Sequence, residues 1–445
     1  MATPFLERLL ALLTETKPLP LAEQPSVRLA FEDTLAVTYA GWHEPVTRRV
    51  AAAYGNAGGY RPDGAMALEP EIAAQLLGAG AHALDYDDVH LESSGHPSAV
   101  IVPALLAAVR ERPETAPRLA SAFQMGISVD VALGRVLGFA HYEKGWHATS
   151  TIGPIAAAAA VAYLYQLNSE HTAHALGIAA AHSGGLQRNF GAMAKPLQAG
   201  LAAAGGLRAA RLARMGVTAD EDIFGPKGFF DLYGGSELQF DPDSITFDPA
   251  QTGLSVKLYP ACYLAHRPIS AGLAVHEQLK AKGIVPQQLT RIELNGPYGG
   301  FIALRHKEPK SGLEGKFSGE HAVACAMVDG AVGLAHFETD AVQRPDIAAV
   351  RGKVEKREAP KGSPKQGLGA IEVIAHGADD AIVAQAVCEV YPGSPKSPPT
   401  PEQMEAKVRD CLAFFNRDAG APLEYEAFQG FIDGLFDNGH AAPGH

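Results

Sequence analysis

Cysteine is scarce in this chain: four in 445 residues, Cys262, Cys325, Cys388 and Cys411. None stands in a C-x-x-C pair, which argues against zinc ribbons and cysteine-held iron–sulfur clusters. The N-terminal stretch "MATPFLERLLALLTET" is amphipathic, but Glu7 interrupts it and no basic leader precedes it. It therefore does not read as a secretory signal. The expected compartment is cytoplasmic, with the thiols reduced and buried. Positive charge is also in short supply: 37 Lys and Arg face 49 Asp and Glu, for a net charge of −12. With no Lys/Arg-rich stripe, nucleic acid is not an expected partner. A small anionic ligand stays open, because a few local cations decide that. No apolar run reaches the roughly 18 residues of a membrane span without a polar break, so no membrane partner is expected. The nearest stretch, 155–164, is short and mostly alanine.

What is present is a long helical texture. Up to about residue 240 alanine and leucine dominate, and helical spacing recurs over 72–84, 99–112, 119–137, 153–167, 171–183 and 196–215. The texture then changes. Residues 239–260 read as a loop with Asp-Pro turns. Alternating stretches at 289–297 and 369–377 read as strands, 320–333 as a small-residue helix and 351–367 as a charged loop or hairpin. A proline-rich linker leads to a helix start at Thr400–Pro401–Glu402, a helix to about 416, and a tail. The expected fold is mainly α: a large helical domain over 1–250, completed by 395–445, with a smaller α+β lid over 251–394. Ligand pockets favour such boundaries.

Four segments concentrate reactive side chains. "LDYDDVHLESSGHPSAVIVPALLA" (84–107) brings Asp85, Asp87 and Asp88 ahead of His90 and His96. Such a mixture hints at a divalent metal, but no His-Glu-x-x-His or comparable spacing supports one, and no metal is expected. Pro97 suits a first helical turn, which puts His96 at a helix mouth; the plainer reading is a carboxylate-held histidine with Ser98 as cap. "GWHATSTIGPIAAAAAVAYL" (145–164) sets His147 ahead of an alanine-rich helix, with Thr149, Ser150 and Thr151 as capping hydroxyls. The positive helix end would keep such an imidazole neutral and welcome an anion; an ordinary cap with an incidental histidine is the plainer reading. "HSGGLQRNFGAMAKPLQAG" (182–200) lacks both phosphate-loop signatures, and its Lys195 stands before another alanine-rich helix. "VKLYPACYLAHRP" (256–268) crowds Lys257, Tyr259, His266 and Arg267 at the junction, where an ordinary solvated linker is the competing reading.

In order and spacing these segments, with "AVACAMVDG" and "YPGSPKSPPTPEQMEAKV", resemble the MmgE/PrpD family over nearly the whole chain. The resemblance implies a helical domain with an α+β lid, a homodimer, no cofactor, and a metal-independent site in the cleft. It also implies proton movement beside a carboxylate of a small di- or tricarboxylate. The leading expectation is a 2-methylcitrate-type dehydratase; the alternatives are an epimerase of a small dicarboxylate such as iminodisuccinate and a cis-aconitate-type decarboxylase. Carried over by position, the family's site residues fall on Asp85, His96, His147, Lys195 and Lys257. His147 and Lys195 are expected as the acid/base pair, assisted by His96. Asp85 would orient a histidine, and Lys257 would bind a substrate carboxylate. Tyr259, His266 and His321 complete the expected substrate-binding set. Four positions depart from family habit: Val89 where threonine is common, Gln198 where histidine is common, His321 where the decarboxylase has tyrosine, and Cys262 near a decarboxylase histidine. These count against decarboxylation.

Overall fold

The computed structural model describes residues 2–55, 61–65, 68–234, 245, 252–362 and 369–437. Most of the expected loop at 239–260, the boundary at 250–251 and the last eight residues of the tail lie outside them. Helices of ten or more residues are numbered in chain order: α1 (Pro4–Glu15), α2 (Pro25–Ala40), α3 (Pro70–His82), α4 (Ser98–Glu111), α5 (Leu119–Glu143), α6 (Gly153–Leu164), α7 (Ser169–Ala180), α8 (Ala194–Arg214), α9 (His266–Ala281), α10 (Gly319–Asp329), α11 (Pro401–Asn416) and α12 (Tyr425–Asp437). Four strands, β1 (Arg291–Gly296), β2 (Val354–Glu358), β3 (Ile371–His376) and β4 (Ile382–Cys388), make one sheet in the order β2-β1-β3-β4. The chain is mainly α with a small α+β portion.

The local chemistry explains the element ends. Asn168 caps α7 by accepting from the His171 N–H at 2.8 Å. Thr400 and Gln403 form a reciprocal capping box on α11, whose first residue is Pro401. Ser318 caps α10, which ends at Gly330 with φ +65°, a conformation glycine adopts without a Cβ penalty. Every residue of α6 is buried, so its alanines have no polar face to present, and it runs through the middle of the helical core. Around it pack α4, α5, α7 and α8. α5 is long and apolar enough to cross a membrane, yet its most apolar stretch is mostly buried inside the protein.

Small residues let these helices approach closely. α3 and α8 make the most extensive helix pairing. At their crossing a Cβ on Gly200 would sit 2.2 Å from the Gln75 carbonyl oxygen, and one on Gly78 would meet the Cα of Gly200 at 2.9 Å. Two hydrophobic cores result. The first gathers α1–α8 with α11 and α12, and the second lies between the sheet, α9 and α10.

Four points differ from the sequence reading. The charged segment 351–367 holds β2, which pairs parallel to β1 in register Ile292↔Val354. The only apolar residue of β2, Val354, is the only buried one, so no alternation was visible. His266, at the end of the junction segment 256–268, opens α9, which runs on to Ala281, and much of the tail forms α12. β4 was also unforeseen; its outer residues Ile382 and Val387 are exposed and blur the two-residue period.

Candidate active site

The helix α3 ends at His82, and the chain then turns through Asp85, whose φ is +53°. α8 runs back along α3, so its first turn brings Lys195 against that turn. The Lys195 ammonium donates to Asp85 Oδ1 at 2.8 Å, and Lys257 donates to the same oxygen at 2.7 Å. Burial alone would push the Asp85 carboxyl up, but the two ammonium groups outweigh it and hold it well below the usual carboxylate range. Lys195 also lies 5.2 Å from the ring centre of Phe190 and 5.0 Å from that of Phe317, so its charge is screened from water by aromatic faces.

A second carboxylate works differently. Asp87 accepts from His82 Nδ1 at 2.8 Å, and the same oxygen lies 3.3 Å from His96 Nδ1. Asp87 therefore orients the histidines, the task expected of Asp85, whereas Asp85 pairs with lysines. His96 is driven down to about 3 by burial, with Asp87 opposing and Lys257 and His82 assisting. It is neutral at physiological pH.

His147 precedes a single helical turn, Ala148–Thr151, rather than opening directly onto α6. Its Nδ1 lies 2.6 Å from Gln198 Oε1. An amide oxygen only accepts, so Nδ1 carries the proton and Nε2 keeps its lone pair. That Nε2 is buried without a hydrogen-bond partner among the described residues. Burial, then the nearby His82 and Lys195, hold the His147 pKa well below its ordinary value, while the Gln198 bond works against them. Neutrality was expected from a helix dipole; burial is the larger cause. The three hydroxyls expected as caps are used elsewhere. Thr149 accepts from the His96 N–H at 3.1 Å, Ser150 donates to the Gln198 carbonyl at 3.3 Å, and Thr151 pairs with His141 Nε2 at 2.6 Å. Ser98 likewise does not cap α4; its N–H and hydroxyl both donate to Asp88.

A cavity of about 580 Å³ opens over this cluster. Asp85, His96, His147 and Lys195 all line it, together with Phe190, Phe317, Tyr142 and Cys262. Its apolar core residues belong to the second core, while His96, His147 and Lys195 reach it from the helical portion. Four expected residues are not in its lining. Lys257 lies behind Asp85, fully buried, and spends its donors on that residue rather than on a substrate. Tyr259 lies 5.3 Å from the His266 ring, tilted against it, in an aromatic layer with Tyr263 and Tyr391. His321 sits in the second core, with Nε2 on the His336 carbonyl at 3.0 Å and Cys325 Sγ beside its ring. Sequence reasoning named no role for His82, and met Gln198 only as a departure. His82 lies 4.4 Å from the ring of His96 and 5.7 Å from that of His147, centre to centre. Nothing in its spacing marked it; only the turn after α3 brings it there.

His82, Asp85, Asp87 and His96 also present ligand atoms within 4.8 Å of one another, the one such group among the described residues. The donor set suits a divalent ion poorly, because two ammonium groups already occupy Asp85 Oδ1 and would repel a cation.

Neutral imidazoles and a carboxylate-held ammonium group under one cavity form an arrangement that can take up and give protons. Sequence comparison makes this specific. The MmgE/PrpD N-terminal domain matches residues 12–241 and the MmgE/PrpD C-terminal domain residues 259–422, and the chain belongs to this family. It is 29% identical over 357 residues to a cis-aconitate decarboxylase of Homo sapiens, covering 77% of this chain and 72% of that protein. It is 28% identical to the Mus musculus cis-aconitate decarboxylase (68% and 64% covered) and 27% identical to that of Aspergillus terreus (64% and 63%).

Proposed function

We propose that the protein is a lyase that moves a proton at a carbon beside a carboxylate of a small polycarboxylate, with dehydration of a 2-methylcitrate-like tricarboxylate as its reaction. The observation that carries this reading is the state of His147. Its Nδ1–H is engaged by Gln198, and its Nε2 lone pair is unpartnered beside the cavity. That is a base, and dehydration needs one. His147 takes the proton from the carbon next to a carboxylate. Lys195, paired with Asp85, gives a proton to the departing hydroxyl, which leaves as water. The phenyl walls keep the site dry, so the developing carbanion charge is felt strongly by the ammonium. His96, neutral, holds a carboxylate or relays the proton.

Decarboxylation of cis-aconitate is the second reading, supported by the named activity of the similar human and fungal proteins. It requires an acid rather than a base, and Lys195 would serve. Incubating the protein with 2-methylcitrate, citrate, cis-aconitate and iminodisuccinate in D₂O separates the readings by NMR. Loss of water with solvent deuterium exchange supports dehydration. Release of CO₂ from cis-aconitate alone overturns it in favour of the second reading, and inversion without loss of mass overturns both.

A further inference from the structure

Three lysines far apart in sequence meet at the turn that carries Asp85. Lys316 donates to the Leu84 carbonyl at 2.7 Å, Lys257 to the Asp85 carbonyl at 2.8 Å, and Lys407 to the Tyr86 carbonyl at 2.9 Å. Three successive backbone carbonyls are therefore each held by a different ammonium group. The three side chains are almost wholly buried. They arrive from separate parts of the fold: Lys257 from the segment after residue 252, Lys316 from the turn before α10, and Lys407 from α11. Lys316 also donates to the Pro260 carbonyl at 2.9 Å, and its own carbonyl accepts from the Cys262 N–H at 3.0 Å. Lys407 pairs with buried Asp33 on α2 and lies 4.2 Å from the centre of the Tyr86 ring.

Burying an ammonium group costs several kcal/mol, so spending three on one turn calls for a reason. The backbone supplies it. Asp85 is in the left-handed region, a strained conformation for a non-glycine residue that persists only where the surroundings over-determine it. A helical path would carry the Asp85 side chain away from Lys195. The lysines on the flanking carbonyls prevent that relaxation.

We propose that Lys316 and Lys407, neither of which lines the cavity, are positioning residues that fix the Leu84–Tyr86 turn and thereby aim the Asp85 carboxylate at Lys195. The role rests on the acid–base reading above. It also makes the site depend on both cores at once, since Lys316 belongs to the second and Lys407 to the first.

The test uses the full chain with Lys316→Met and Lys407→Met. Lys316 has two carbonyls as hydrogen-bond acceptors, so Lys316→Met leaves no hydrogen-bonded carboxylate behind and is the variant to rely on if Lys407→Met, which strands Asp33, does not fold. Each folded variant is assayed on whichever polycarboxylate the wild type turns over, and its crystal structure is determined. The expected result is a kcat lowered on the order of ten- to a hundredfold, as a displacement of about 1 Å at the reacting groups produces, with KM within about threefold of wild type by the same argument. In the crystal, Asp85 leaves its positive φ and its contact with Lys195 lengthens. An unmoved Asp85, or an unchanged kcat despite a moved Asp85, overturns the proposal. If the wild type turns over none of the polycarboxylates, the functional reading fails by itself, and the crystal structures still decide whether the lysines fix the turn.

Discussion

Replacing Gln198 with Glu puts a carboxylate where His147 Nδ1 now meets a neutral amide oxygen at 2.6 Å. The imidazolium form gains an opposite charge in a buried setting. At an effective dielectric of about 20, two unit charges about 4 Å apart attract by about 4 kcal/mol. That equals about three pKa units. The wild-type imidazole, held well below its ordinary value, is unprotonated throughout the neutral range. In Gln198→Glu the histidine and the new carboxyl share one proton and titrate as a pair. While that proton is present, Nε2 is either protonated outright or held in the wrong tautomer, so the base is absent. The acid limb of the kcat/KM profile should move upward by about three pH units, so that activity is lost at a higher pH than in the wild type and returns on the alkaline side of the shifted limb. Stopped-flow or NMR progress curves from pH 5 to 10 measure this. A profile that superimposes on the wild type would refute the assignment of His147 as base.

His147→Gln and Lys195→Ala should each lower kcat at least about a hundredfold in steady-state assays, and the double variant should be little worse than either; near-normal kcat in His147→Gln would make the histidine structural. Both side chains are buried, so Lys195→Ala should also lower the melting temperature by leaving Asp85 with Lys257 alone. Burial lowers His96 and His266 to about 3 and His90 and His321 to about 4. The unfolded chain protonates these groups near 6.5 while the folded one resists, so each removes about 1.4 kcal/mol per pH unit as pH falls below 6.5. Asp130, raised to about 7 by burial, runs the other way, as do Asp33, Glu44, Asp88 and Asp410, which burial also raises. The lowered histidines, which also include His43, His82, His141, His147 and His182, outnumber these carboxyls, and calorimetry should show the melting temperature dropping between pH 6.5 and 4; a flat profile would count against their burial. Dialysis against EDTA should leave turnover intact, and activity lost and then regained with Fe²⁺ or Zn²⁺ would contradict the lysine-paired Asp85. Light scattering should report a dimer at micromolar concentration, and monomer mass throughout would refute that assembly.

The helices α6 and α8 were legible because alanine and leucine run through them with a proline in the first turn, and α7 and α11 because Asn168 and Thr400 cap them. So were β1 and β3, whose faces alternate. β2 was not, because four of its five residues are charged and a parallel pairing with β1 leaves no turn signal beside it. At the site, Asp85, His96, His147 and Lys195 converge as the motif order implied. Their division of labour was hidden. Which carboxylate orients a histidine depends on the turn after α3, and a single residue separates Asp85 from Asp87. Lys316 and Lys407 could not have been singled out, since a lysine in "LEGKFSG" or "MEAKVRD" looks like a solvated charge until tertiary packing buries it.

The tight crossing of α3 and α8 sets where variation can be tolerated. Lys195 lies five residues before Gly200 on one helix, and the Asp85 turn follows the end of the other. The two helices act as a caliper whose jaws are the ion pair and whose pivot is glycine. Gly200→Ala must spread the pivot, because its Cβ would land on the Gln75 backbone rather than on a movable side chain. The jaws would open with it. In a directed-evolution library the wall positions around the cavity, such as Val89 and Ile302, therefore offer room to change substrate preference. Gly78 and Gly200, which touch no substrate, do not.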